Sequence, residues 1–67
     1  MQPPKRRFSW NDKYLSEEKK ILKEWVNWEI SSNEAAWQMS LVHGLDIANF
    51  YTAKEFEENA NWIGWRR

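Results

Sequence analysis

Few residues in this chain are equipped for bond-making chemistry. His43 is the single histidine and there is no cysteine, so a nucleophile–base pair would have one candidate base and no thiol. Cysteine and histidine ligands in the number a structural zinc site needs are also missing. Gly44 and Gly64 are the only glycines. Two are too few for a phosphate-cradling loop, and each stands where a helix should stop. The carboxylates fall mainly on expected helix surfaces or in helix caps, where they already have structural work. These residues point away from an enzyme, and no cofactor and no metal is expected.

The residues that carry more weight are aromatic. The chain has six Trp, three Phe and two Tyr among 67 residues. A buried aromatic removes roughly 150–250 Å² from water. At about 25 cal/mol per Å² that is on the order of 4–6 kcal/mol gross for each one, before entropy is subtracted. A short chain buries a small share of its surface, and tryptophan can replace disulfide or metal staples. Six are hard to fit in one core of this size, so some indole surface should remain at the edge. By position, Trp25, Trp37 and one of Trp10 or Trp28 suit the core. Trp62 points away from the apolar stripe of the last helix, and Trp65 lies beyond Gly64, beside Arg66 and Arg67. Trp and Arg dominate binding hot spots. Trp62, Trp65, Arg66 and Arg67 are therefore the candidate partner-binding anchor, with Trp28 as an extension.

The elements that position these groups are helical. Ser31 to Gly44 reads as a complete helix: Ser31 caps it, Glu34 reaches back to close a capping box, and Gly44 ends it. Ala35, Met39 and Val42 share one face, while Trp37 and Leu41 form a second apolar stripe, the pattern of the middle helix of a bundle. Upstream, Ile21, Trp25 and Trp28 line one side of a helix expected over 16–29, with Lys19, Lys20 and Lys23 together on another side. Downstream, Asp46 starts a short helical turn over 46–51 carrying Ile47 and Phe50 inward. Thr52 and Glu55 form a second capping box for a last helix over 53–63, which buries Phe56, Ala60 and Ile63. The expected fold is all-α, a small three- to four-helix bundle with a Trp-rich core. Residues 1–7 read as a flexible basic arm and 8–67 as one helical domain.

The net charge is zero but unevenly placed. Lys5, Arg6, Arg7, Arg66 and Arg67 contribute +5, and the body between them carries five Lys against ten acidic residues. A general polyanion binder would spread basic groups over one face. No apolar run approaches the roughly 20 residues that span a bilayer, and the N-terminal residues lack the apolar run of a secretion signal. A soluble, cytoplasmic protein is the expectation.

Nucleic acid is the second class. A small helical domain with basic ends has the proportions of a helix-turn-helix unit. Lys5-Arg6-Arg7-Phe8-Ser9 resembles the arm and first core aromatic of homeodomains, and Trp62-Ile63-Gly64-Trp65-Arg66-Arg67 resembles the end of their recognition helix. The resemblance covers about eleven residues. It departs from the family where Trp65 stands in place of the base-reading asparagine and where too much chain separates the last two helices. What it implies is DNA contact through Lys5, Arg6 and Arg7, joined by Lys19, Lys20 and Lys23. The leading expectation remains a non-enzymatic protein-interaction module, a regulator or inhibitor acting on a partner protein. Such small aromatic domains are commonly accessory proteins of phages or mobile elements. A DNA-binding regulator is the alternative, and a homodimeric structural or adaptor protein a further one.

Overall fold

The computed structural model describes Pro4, Arg7, Phe8 and residues 16–67. The expected core position of Trp10 and the basic Lys5 and Arg6 lie outside the described residues. Among the described residues there are three α-helices and no strand: α1 (Ser16–Val26), α2 (Ser32–Val42) and α3 (Ala53–Trp62), with a 3₁₀ turn at Ile47–Asn49. The all-α expectation holds, with three helices rather than four. Among the described residues no helix is long and apolar enough to cross a membrane.

The helix starts follow the capping residues. Ser31 Oγ accepts from the Glu34 N–H at 3.1 Å. At α3 the full reciprocal box forms, with Thr52 Oγ1 accepting from the Glu55 N–H (3.1 Å) and Glu55 Oε1 from the Thr52 N–H (3.0 Å). Asp46 precedes the 3₁₀ turn but makes no side-chain cap bond. Ile47 there is 86% exposed, not inward.

The helix ends share one device. Beyond α2, Leu45 N–H donates to Ser40 O and Gly44 N–H to Leu41 O, both at 3.0 Å. Beyond α3, Trp65 N–H donates to Ala60 O (2.8 Å) and Gly64 N–H to Asn61 O (3.2 Å). This nested pair is a Schellman cap, which needs a left-handed residue at its turn. Gly44 and Gly64 take it, at φ 70° and 99°. The same bonds close α1, from Glu29 N–H to Glu24 O (2.9 Å) and from Trp28 N–H to Trp25 O (3.1 Å). The left-handed residue here is Trp28, at φ 64°. The expected helix over 16–29 therefore stops at Val26, and Trp28 leaves the stripe it would have shared with Ile21 and Trp25.

Packing centres on α2, which contacts both α1 and α3. The core comprises Phe8, Ile21, Leu22, Trp25, Ala35, Ala36, Met39, Tyr51, Phe56 and Ala60. Its aromatic members pack edge-on or tilted, with Phe56 5.2 Å from Trp25 and 5.5 Å from Phe8, and Phe8 4.8 Å from Tyr51. Among the described residues the expectation of a Trp-rich core holds only in part, since Phe8, Tyr51 and Phe56 supply most of the buried aromatic surface. Among the described tryptophans only Trp25 is buried, and Trp65 is packed partly against the cluster. Trp37, expected in the core, is 51% exposed. Small residues occupy the inner face of α2 instead, since Ala35, Ala36 and Ser40 let its neighbours approach closely.

Buried polar groups fasten the helices. Ser40 Oγ donates to Ala36 O (2.7 Å) and accepts from the Tyr51 N–H (2.8 Å), pinning the segment before α3 onto α2. Asn59 accepts from the Phe8 N–H at 2.8 Å and donates to Glu55 O at 2.9 Å. Among the described residues no buried side-chain nitrogen or oxygen lacks a partner.

Candidate interaction surface

The constellation closest to catalytic chemistry is a chain of three polar side chains. His43 Nε2 lies 2.6 Å from Glu18 Oε2, and Nδ1 lies 2.8 Å from the Tyr51 hydroxyl. A carboxylate, an imidazole and a hydroxyl in this order can activate the hydroxyl when a substrate reaches it. Here Tyr51 is 9% exposed, the side chains of Glu18 and His43 are 4% and 14% exposed, and Phe8 packs on both rings. The group ties α1, the end of α2 and the segment before α3 together. Among the described residues no group of three His, Asp or Glu could hold a metal ion.

The open chemistry lies at the other end of α1. The Schellman turn swings Trp28 outward, where it is 71% exposed. Left-handed backbone costs a non-glycine residue about 1–2 kcal/mol. Arg67 comes back from the C-terminal segment to lie over this ring. Its guanidinium carbon is 3.9 Å from the Trp28 ring centroid and 4.9 Å from that of Trp25. The same guanidinium donates to Trp25 O (3.3 Å), Ile30 O (3.2 Å) and Ser32 Oγ (3.2 Å). It thus neutralises the carbonyl end of α1, where partial negative charge collects.

Ser32 connects this clasp to α3. Its hydroxyl accepts from the buried Trp25 indole N–H at 2.9 Å and donates to Glu57 Oε2 at 2.6 Å. Trp25, Trp28, Glu57, Asn61 and Arg67 line an open cleft of about 250 Å³. It offers an indole face, a guanidinium, an amide and a carboxylate within one small depression.

No protein-family model matches the chain, and no curated protein or solved structure is significantly similar to it.

The five residues expected as an anchor do not form one patch. Trp28 and Arg67 meet directly. Arg66 is exposed next to Arg67 in sequence. Trp65 is half-buried against the core, and its amide closes the α3 cap. Trp62 is 38% exposed and is not among the residues that line the cleft. Of the basic residues expected on nucleic acid, Arg7, Lys19, Lys20 and Lys23 are all exposed, with Glu17 exposed among the lysines on α1. Sequence reasoning missed Ser32, Glu57 and Asn61. A signal for Trp28 was present: the Ser31 cap leaves only residues 27–30 to reverse the chain, and none of them is glycine.

Proposed function

We propose that this chain is a protein-interaction module, a regulator or inhibitor that occupies a partner's surface through Trp28 and Arg67. The observation that carries this reading is Trp28 itself. A large aromatic sits exposed at a left-handed position where glycine would cost less, and an arginine that is already hydrogen-bonded holds its ring. Strained residues of this kind collect at functional sites, where something other than folding retains them. An indole and a guanidinium held rigid lose little entropy on binding, which makes them good anchors. Arg66, exposed beside Arg67 in sequence, extends the surface, while Trp65 contributes mainly to the core.

The test compares proteins retained by immobilised wild-type chain and by the Trp28→Gly variant from one extract, quantified by mass spectrometry. A protein held by the wild type and lost from the variant supports the anchor. Identical retention by both refutes it. DNA binding remains the second reading, favoured by the joint exposure of Lys19, Lys20 and Lys23 on α1. It predicts duplex affinity that falls steeply with added salt. Fluorescence anisotropy with labelled duplex at low salt decides it, and no binding there removes it.

A further inference from the structure

The two opposite charges in the Trp28 cleft are not equally satisfied. Arg67 donates to the carbonyls of Trp25 and Ile30 and to Ser32 Oγ, and its guanidinium lies over two indoles. The Trp25 carbonyl belongs to the last turn of α1, where roughly half a negative charge collects. Much of the positive charge of Arg67 is therefore met inside the chain. Glu57 is placed differently. Its Oε2 accepts from the Ser32 hydroxyl at 2.6 Å, a neutral donor. Among the described residues its Oε1 has no hydrogen bond and the carboxylate no ion pair. Ser32 is itself fixed by the Trp25 indole N–H and by Arg67, so the carboxylate is held in one orientation. Asn61 stands four residues after Glu57, on the same face of α3, and brings a side-chain amide to the same cleft. At the margin, the residues adjacent in sequence to the lining include the acids Glu24, Glu29 and Glu58, against Arg66 as the one base.

Resting on the reading of Trp28 as an anchor, we propose that this cleft receives a basic side chain, lysine or arginine, from the partner protein. The alkyl stem of such a residue is apolar and lies along the open part of the Trp28 indole, while its head carries the charge. That head reaches Glu57 Oε1 and the Asn61 side-chain carbonyl. Hydrogen bonds from a cation to a carboxylate are stronger than neutral ones, and an indole face also attracts a cation. An acidic side chain is disfavoured, because it would meet Arg67 beside Glu57, which shares Ser32 Oγ with it. The volume of about 250 Å³ suits one side chain and not a helix or strand.

Titration of the full nitrogen-15-labelled chain with three blocked tripeptides tests the proposal: acetyl-Gly-Lys-Gly-amide, acetyl-Gly-Arg-Gly-amide and acetyl-Gly-Glu-Gly-amide. The readout is the resonance of the Trp28 indole N–H and of the Asn61 side-chain amide. At least one basic peptide should shift both signals saturably, with a dissociation constant on the order of 1–10 mM, and the tighter of the two names the head group. The acidic peptide should leave both signals in place. Glu57→Gln keeps a carbonyl for the Ser32 hydroxyl and should retain the fold by circular dichroism, yet bind the basic peptide about fivefold more weakly or worse. Added salt should weaken binding to the wild type. No saturable shift with either basic peptide, an equal shift with the acidic one, or unchanged affinity in Glu57→Gln overturns the proposal. Glu57→Gln leaves Trp28 and Arg67 in place. A partner lost from Trp28→Gly but retained by Glu57→Gln would therefore keep the anchor and remove only its basic ligand.

Discussion

Replacing Trp28 by glycine and by alanine gives a quantitative test of how α1 ends. Both substitutions remove the indole, and both lose the stacking with Arg67, worth about 0.5–1 kcal/mol at an exposed site. Only glycine removes the left-handed strain, which costs a residue with a Cβ about 1–2 kcal/mol. Against this stands the extra freedom of unfolded glycine, about 0.5–1 kcal/mol. The glycine variant should therefore be more stable than the alanine variant by about 0.5–1 kcal/mol. That order is the reverse of the helix interior, where alanine exceeds glycine by about 1 kcal/mol. Urea unfolding followed by circular dichroism and by emission of the buried Trp25 measures the difference. With a slope of about 1 kcal/mol per molar for a chain this small, the midpoints should differ by about 0.5–1 M. An alanine variant as stable as the glycine variant, or more so, would refute the Schellman assignment and the strain assigned to Trp28.

Two further perturbations address the buried polar fastenings. Ser40→Ala removes the acceptor of the buried Tyr51 N–H and should cost about 1–3 kcal/mol; a loss below about 0.5 kcal/mol in thermal or urea unfolding would mean that this amide finds another partner. His43→Leu leaves the Glu18 carboxylate buried without its imidazole and should cost about 3–5 kcal/mol, whereas adding Glu18→Leu should recover much of that loss. If the double variant is no more stable than His43→Leu, the pair does not act as a unit.

Several parts of this protein could be read from residues alone, because the physics that sets them is local. Ser31, Thr52 and Glu55 make their cap bonds within four residues, so α2 and α3 begin where those side chains stand. Gly44 and Gly64 end their helices because only a residue without a Cβ takes the left-handed turn cheaply. The periodicity of Phe56, Ala60 and Ile63 correctly marked the inner face of α3.

Tertiary structure decided which aromatic groups are buried. Trp28 fits an apolar stripe only if α1 continues to residue 29. Reversing the chain before Ser31 stops that helix at Val26 and turns the indole out. Trp37 matches the second stripe of a central helix, yet α1 and α3 both pack on the small-residue side of α2, leaving the larger side chain outside. Arg67 lies 42 residues from Trp25, and its place over two indoles depends on how α3 returns the chain to the end of α1. Ser32, Glu57 and Glu18 look in sequence like ordinary surface or capping residues. They become connectors between helices because hydrogen-bond partners 25 residues away are brought within 2.6 Å, a long-range placement that no local pattern encodes.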